Sequence, residues 1–382
     1  MARSPSNTKT PSTRSVGRGK PRDLAAKRRP SVLQREGLRL SRADSLTQYA
    51  TWPSPDCIVS DGAYGVLGFE GDTANHEATA EWYEPHVAAW AKASTFRTTL
   101  WFWNSEIGWA VTHPILERYG FRYVSCNVWD KGKGHIAGNV STKTIRRFPV
   151  VTEVCAHYVF EPKIQGMTLQ KWLLSEWKRS GLPLKASNLA CGVRDAATRK
   201  YLTNSHLWYL PPPDAAARLS QYANAQGRPE GRPYFSFDGR NPLTIAEWSE
   251  LRAHFACPHG VTNVWTRPAL RNEERVKTPA LKAVHLNQKP LDLMERLVLS
   301  STHPGGVVWE PFGGLFTASL AAARSERQAF GAEIDPVYYA YGVARFDERL
   351  TKSLGSASMP KVPREQERSP SARARPSARR GS

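Results

Sequence analysis

No run of about 18 apolar residues, the length that crosses a bilayer, occurs in the 382-residue chain. No apolar leader core follows its polar, basic start. The expectation is a soluble, intracellular, cytoplasmic protein without a membrane partner. Cysteine is scarce: Cys57, Cys126, Cys155, Cys191 and Cys257 are odd in number and scattered, and no C-x-x-C pair exists. The C-P-H at 257–259 lacks a second ligand pair, so buried reduced thiols are expected and no metal. No G-x-G-x-x-G follows an early strand, which argues against an ordinary dinucleotide-binding dehydrogenase. No internal repeat is present.

Acid is short at both ends. The net charge is +19, of which residues 1–43 carry +10 and residues 351–382 carry +6, leaving +3 for the middle. Both ends are rich in Ser, Pro and Arg and poor in large apolar residues. Such chain cannot bury enough surface to offset its entropy, so 1–37 and 351–382 read as disordered basic tails. They suit a polyanion, and equally serve as plain solubility tails.

The middle, with 40% hydrophobic residues over the whole chain, is able to build a sizeable core. Order is expected from Leu38. Short apolar strands are expected at 38–44, 56–61 and 98–103. Helices follow at 77–93, with Trp82, Val87 and Trp90 inward, and at 108–119, ended by Gly120; strands 121–129 and 150–159 come next. Strands alternating with helices predict an α/β sheet. From 162 to 282 Pro, Gly and Arg punctuate short helical pieces, and 184–202, broken at Gly192, has the look of a helix-turn-helix. The α/β pattern returns from 283 to 350.

Two stretches carry chemistry. In V-V-W-E-P-F-G-G-L-F-T-A-S-L, 307–320, a strand enters a glycine turn and then a small-residue helix. Gly313 and Gly314 let the backbone approach a ligand at the strand's carboxyl end. Some 20 residues on, Glu333 ends the next strand, where a carboxylate is placed to accept both hydroxyls of a ribose. A plain tight turn reads equally well from this pattern alone. Ahead of it stands H-L-N-Q-K-P, 285–290.

H-L-N-Q-K-P, E-P-F-G-G and G-A-E-I-D-P-V-Y-Y, in this order and spacing, resemble the cofactor-binding half of the amino-DNA methyltransferases. The resemblance implies S-adenosyl-L-methionine as cofactor, with His285, Lys289, Pro290, Phe312, Gly313, Gly314 and Glu333 around it. Phe316 stands where that family often has a third glycine. The family's catalytic [DNS]-P-P-[YFW] has its counterpart in D-G-A-Y, Asp61 to Tyr64, where Gly62 and Ala63 replace both prolines. Asp61 and the Gly62 carbonyl would accept the two hydrogens of a base amine, and Tyr64 would stack on a flipped base. Ser60, one place earlier, allows the register S-D-G-A, which leaves no aromatic ring at the stacking position.

Asp44 resembles an acid near the cofactor or site. Asn127, Trp129, Lys131 and Glu153 resemble positions flanking the cleft, although sheet packing for Trp129 and surface charge for Lys131 and Glu153 are the preferred readings. Catalytic half (38–161), insertion and cofactor half (283–350) follow the β-class order. The fold implied is a Rossmann-like, seven-stranded S-adenosylmethionine-dependent methyltransferase sheet with helices on both faces and an inserted target-recognition region. In that region Arg194, Arg199 and Lys200, beside Tyr201, would meet bases or phosphates, or form a solvated helix face. The implied function is site-specific methylation of double-stranded DNA, adenine N6 ahead of cytosine N4, in a restriction-modification setting that leaves room for a partner endonuclease. The alternatives are an RNA or protein methyltransferase of the same fold and an inactive DNA-binding homologue, the latter motivated by the lost prolines.

Overall fold

The computed structural model describes residues 30–66, 72–132, 143–229, 231–271 and 274–353. Residues 1–29 and 354–382, which hold most of both basic tails, lie outside the described residues.

Nine strands form one mixed sheet: β1 (Val32–Arg35), β2 (Leu38–Ser41), β3 (Cys57–Ser60), β4 (Thr99–Asn104), β5 (Phe121–Asp130), β6 (Thr152–Phe160), β7 (Val264–Thr266), β8 (Val307–Glu310) and β9 (Gln328–Ala332). Their order is β1-β2-β9-β8-β3-β4-β6-β5-β7. The interior strands β2, β9, β8, β3 and β4 are parallel, and β6 runs antiparallel between β4 and β5. Strands β3 (CIVS) and β4 (TLWFWN) are buried at every position, as expected of parallel strands covered by helices on both faces. Two edge strands separate this sheet from the expected seven. β1 pairs with β2 across a tight turn at Gly37, whose φ is +66°. It corrects the expectation that residues 1–37 are wholly disordered: a four-residue strand sits at the end of the basic segment. β7, within the insertion, pairs in parallel with β5.

Helices α1 (His76–Ala93) and α2 (Glu106–Arg118) cover one face. Here Tyr83, Val87, Trp90 and Leu116 pack against Ile58, Leu100, Phe102 and Trp309. Trp82, expected to point inward, is only half-buried.

The middle segment supplies α3 (Leu169–Arg179), α4 (Ala186–Cys191), α5 (Pro213–Gln226) and α6 (Ile245–Ser249). These build a separate core that includes Trp172, Trp177, Leu219, Phe235 and Trp248, and its last member is Leu251. The chain after Leu251 returns to the sheet, so the helical module is shorter than 162–282. At its centre Glu176 is held by Arg179, Arg232 and the Phe235 amide at 2.8, 2.7 and 2.9 Å. Within 184–202 no second full helix follows α4. Gly192 ends it in the left-handed conformation, and one π-helical turn at 197–201 stands where a helix-turn-helix needs a helix.

The other face of the sheet carries α7 (Leu291–Ser301), α8 (Thr317–Arg324) and α9 (Pro336–Ser353), with Met294, Leu297, Leu320, Val343 and Phe346 inward. The crossover from β8 through α8 runs to β9 on one side, and that from β3 through α1 runs to β4 on the other. Neighbouring strands β3 and β8 therefore mark the point where strand order reverses, the usual place for a ligand crevice in such a sheet.

Candidate active site

A cavity of about 370 Å³ opens at that point. Its walls come from the carboxyl ends of β3, β8 and β9, from the segment after β2, and from the 285–289 stretch.

On the β8–β9 side, Gly313 donates its amide to the Ala332 carbonyl at 2.7 Å, and Gly314 adopts φ +51°. The Glu333 carboxylate accepts the amides of Gly314 (2.6 Å) and Asp335 (2.7 Å). A carboxylate has about four lone-pair sites, so acceptor capacity remains. Burial raises the Glu333 carboxyl to about 7, against the pull of those two amides. Phe316 is buried at φ +53°, and its ring lies where a Cβ on Gly313, Gly331 or Gly342 would be. Three glycines thus make room for one ring. Glu310 ends β8 by accepting the amides of Ala318 and Ser319 at 3.0 and 2.7 Å, which anchors the start of α8.

On the β3 side lies D-G-A-Y. Loss of the prolines does not leave this loop loose. Asn104 at the end of β4 donates to the Ala63 carbonyl (2.9 Å), and Asp72 accepts the amides of Tyr64, Gly65 and Val66 at 2.8, 2.9 and 3.1 Å. A side chain at Gly62 has no room, because a Cβ there meets the Phe312 ring at 2.7 Å and the Tyr83 hydroxyl at 2.8 Å. Phe312 in turn packs on Trp82 and His86, both at 4.9 Å between ring centroids. Ser60 is fully buried in β3 and does not line the cavity, whereas Asp61 and Tyr64 do. The register D-G-A-Y therefore places an acid and an aromatic ring at the cavity.

Lys289, expected beside the cofactor, reaches Asp61. Its ammonium lies 2.7 and 2.8 Å from the two oxygens of Asp61, 3.1 Å from the Tyr64 hydroxyl and 3.2 Å from Glu153. Tyr64 donates to Asp61 at 2.8 Å, so its hydroxyl anchors the ring within a polar cluster. Glu153 and Lys131, read as surface charges, are largely buried and paired with each other. Burial works against the Glu153 carboxylate, but Lys289 and Lys131 outweigh it and hold its pKa below the ordinary value. Burial raises Asp61 against the pull of Lys289, with the charge of Glu153 adding to the rise. Burial and the two carboxylates push the Tyr64 phenol far up, so it stays a neutral donor.

Asp44 lines the cavity and caps the short turn after β2, accepting the Leu46 amide at 2.9 Å. His285 lines it too, edge-on to Tyr338 at 4.6 Å, and burial lowers its imidazole to about 4. Pro290 does not line it and instead begins α7. Arg194, Arg199 and Lys200 are exposed on the helical module and stand apart from the cavity, Arg199 being paired with Asp195. Asn127 is buried in β5 and donates to Cys155, and Trp129 packs in the core. Asn104, Asp72 and Tyr83 escaped the sequence reading, and Trp82, read there as core, lines the cavity. Asn104 was visible only as the polar end of an apolar strand.

Among the described residues no helix is long and apolar enough to cross a membrane. In sequence, 63 residues are 41% identical to DNA adenine methyltransferase YhdJ of Escherichia coli (strain K12), and 76 residues are 36% identical to Type II methyltransferase M.BglII of Bacillus subtilis. These stretches are 16% and 20% of this chain and span only 21% and 20% of the two relatives. Among solved structures, the M1.HpyAVI–SAM complex is 16% identical with a TM-score of 0.42, covering 81% of this chain and 99% of that one. The cytosine-N4-specific PvuII DNA methyltransferase is 12% identical with a TM-score of 0.45, covering 82% and 90%. A profile of the N6/N4 DNA methylases matches residues 55–344, well over half of the chain, and spans both walls of the cavity: the chain belongs to the DNA methylase family.

Proposed function

We propose that this chain transfers a methyl group from S-adenosylmethionine to the exocyclic amine of a base flipped out of double-stranded DNA, with adenine N6 as the target. One observation carries the reading: a half-buried acid at the end of β3 and a glycine-turn-plus-carboxylate at the ends of β8 and β9 face the same cavity. The residues fit the cofactor. Glu333 has acceptor capacity for ribose hydroxyls, Gly313 and Gly314 leave the backbone open to close approach, and Phe312 and Ile334 supply apolar wall. When bound there, S-adenosylmethionine supplies an electrophilic methyl group on a sulfonium sulfur.

The chain's own groups act on the amine. Conjugation with the ring makes it a weak nucleophile. The Asp61 carboxylate accepts one of its hydrogens and the Gly62 carbonyl the other, which localises the lone pair and orients it. As nitrogen takes the methyl group it becomes cationic, and Asp61 stabilises that charge and receives the departing proton. Tyr64 offers its ring face to the base while Asp61 holds its hydroxyl. An acid rather than serine at the head of D-G-A-Y favours adenine N6, by analogy with the family's motif usage. The exposed Arg194, Arg199 and Lys200 are assigned to phosphates and base edges, and the basic tails to phosphates alone.

The deciding experiment incubates the protein with duplex DNA and labelled methyl donor and identifies the methylated nucleosides by mass spectrometry. N6-methyladenine is expected, lost in Asp61→Ala. N4-methylcytosine alone would change the target, and no product with both ligands bound would make the protein a binding homologue. A restriction endonuclease of the same site specificity is the partner that a type II setting adds, and it would be blocked by DNA the protein has treated.

A further inference from the structure

Lys289 has one ammonium group and two carboxylates to serve. Four acceptor atoms lie within 3.2 Å of it: both oxygens of Asp61, the Tyr64 hydroxyl and Glu153 Oε2. An ammonium has three hydrogens, so one acceptor is always in surplus. Its side chain is 2% exposed and lies against the rings of Trp103 and Tyr64 at 5.3 and 5.4 Å. In this arrangement Lys289 covers both oxygens of Asp61, and Tyr64 takes one of them again. A base amine meets an acceptor that is already engaged.

Glu153 offers the ammonium a second seat. Its other oxygen belongs to Lys131, so the two carboxylates and two ammoniums balance. Moving Lys289 from one carboxylate to the other changes no charge and requires no proton to enter or leave. The remaining titratable groups facing the cluster are Tyr83 from α1, Cys155 from β6 and His285 from the lysine's own segment. Burial keeps all three neutral at neutral pH.

We propose that Lys289 is a positioning residue that holds the amine seat of Asp61 in the resting protein and withdraws onto Glu153 when the target amine arrives. Asp61 is thereby kept ionised while no base is present and is released only to a base in place. The inference rests on the reading of Asp61 as the amine's acceptor.

Three variants test it, each compared with wild type for methylation kinetics across pH 6 to about 9. Glu153→Gln removes the charge of the second seat. The KM for DNA should rise about tenfold with cofactor affinity unchanged, and an unchanged KM overturns the proposal. Lys289→Met leaves two carboxylates facing each other, and the acid limb of kcat/KM should move up by more than about one pH unit. In Lys289→Met combined with Glu153→Gln the like-charge neighbour is gone, so the limb should return toward its wild-type position. A purely structural role predicts additive losses and an unmoved limb. Lys289→Arg keeps the charge and should keep the profile, which covers the case in which the methionine variant does not fold. ¹³C NMR of aspartate-labelled protein reads the same shift without turnover: Asp61, identified by its loss in Asp61→Asn, should titrate higher in Lys289→Met. An active wild type whose variants show no shift overturns this proposal alone. A wild type that methylates no DNA overturns the functional reading and this proposal with it.

Discussion

The proposed seat of the cofactor's ribose on Glu333 predicts that cofactor affinity depends on pH. Its carboxyl is raised by burial to about 7, whereas an exposed glutamate titrates at 4.5. Only the ionised form accepts two ribose hydroxyls, because a protonated oxygen has become a donor. A carboxyl of pKa about 7 is mostly ionised at pH 8 and mostly protonated at pH 6. Lowering the pH by those two units should weaken S-adenosylmethionine binding about tenfold, or about 1.4 kcal/mol. The amino group of the ligand itself titrates near 8, as α-amino groups do, so wild type alone does not isolate the effect. Glu333→Gln supplies the baseline. It keeps the shape and one acceptor, should bind about 1–3 kcal/mol more weakly at pH 8, and should lose the slope between pH 6 and 8 apart from the ligand's own. Calorimetric titration at four pH values reads both quantities. An equal slope in wild type and Glu333→Gln, with both folded, would refute the assignment of Glu333 to the ribose.

Asp61→Asn removes the charged acceptor while Lys289 keeps Glu153. Transfer should fall by several kcal/mol in the transition state with little change in cofactor affinity, as read by single-turnover rates, and equal losses in both would contradict a role in catalysis. Gly62→Pro, which restores the family's residue, should cost about 1–3 kcal/mol of stability, because its Cβ enters the space of Phe312 and Tyr83. Denaturation of this variant and of its combination with Phe312→Ala checks the cause: the second change should recover part of the loss. Glu310 is also raised to about 7 by burial. Its folded pKa lies above its unfolded one, so its cost to stability is absent below about pH 4.5 and grows as pH rises to about 7, reaching about 3 kcal/mol. Glu310→Gln should show a shallower fall in urea stability between pH 5 and 8, and parallel curves would dispose of the idea. Removing residues 1–29 and 354–382 should weaken DNA binding and flatten its salt dependence while leaving the methylated sequence unchanged; a new recognition site would count against it.

The β8–β9 wall of the cavity was legible in the sequence because its parts are local. A strand, a glycine turn and a helix follow one another from 307 to 320, and Glu333 ends the very next strand. Hydrophobic periodicity likewise located β3, β4, α1 and α2 to within a few residues. Elements that take their order from a pairing partner and not from a pattern of their own were missed. β1 sits in basic sequence and takes its place only through pairing with β2, and the three-residue β7 exists only against β5. The separate core of the helical module was equally invisible, since no local pattern says which short helices share an interior.

The cluster around Asp61 divides in the same way. The order of residues alone put Asp61 and Tyr64 at a strand end. It could not show that Lys289, 228 residues away, would bring its ammonium to Asp61, nor that Glu153 and Lys131 would be buried rather than solvated. A lysine in a helix-entry segment and a glutamate in a strand look alike whether they face water or each other. Only the parallel packing of β8 beside β3 and the antiparallel packing of β6 beside β4 bring these charges together. The need to pair charge once water is excluded then decides which of them meet.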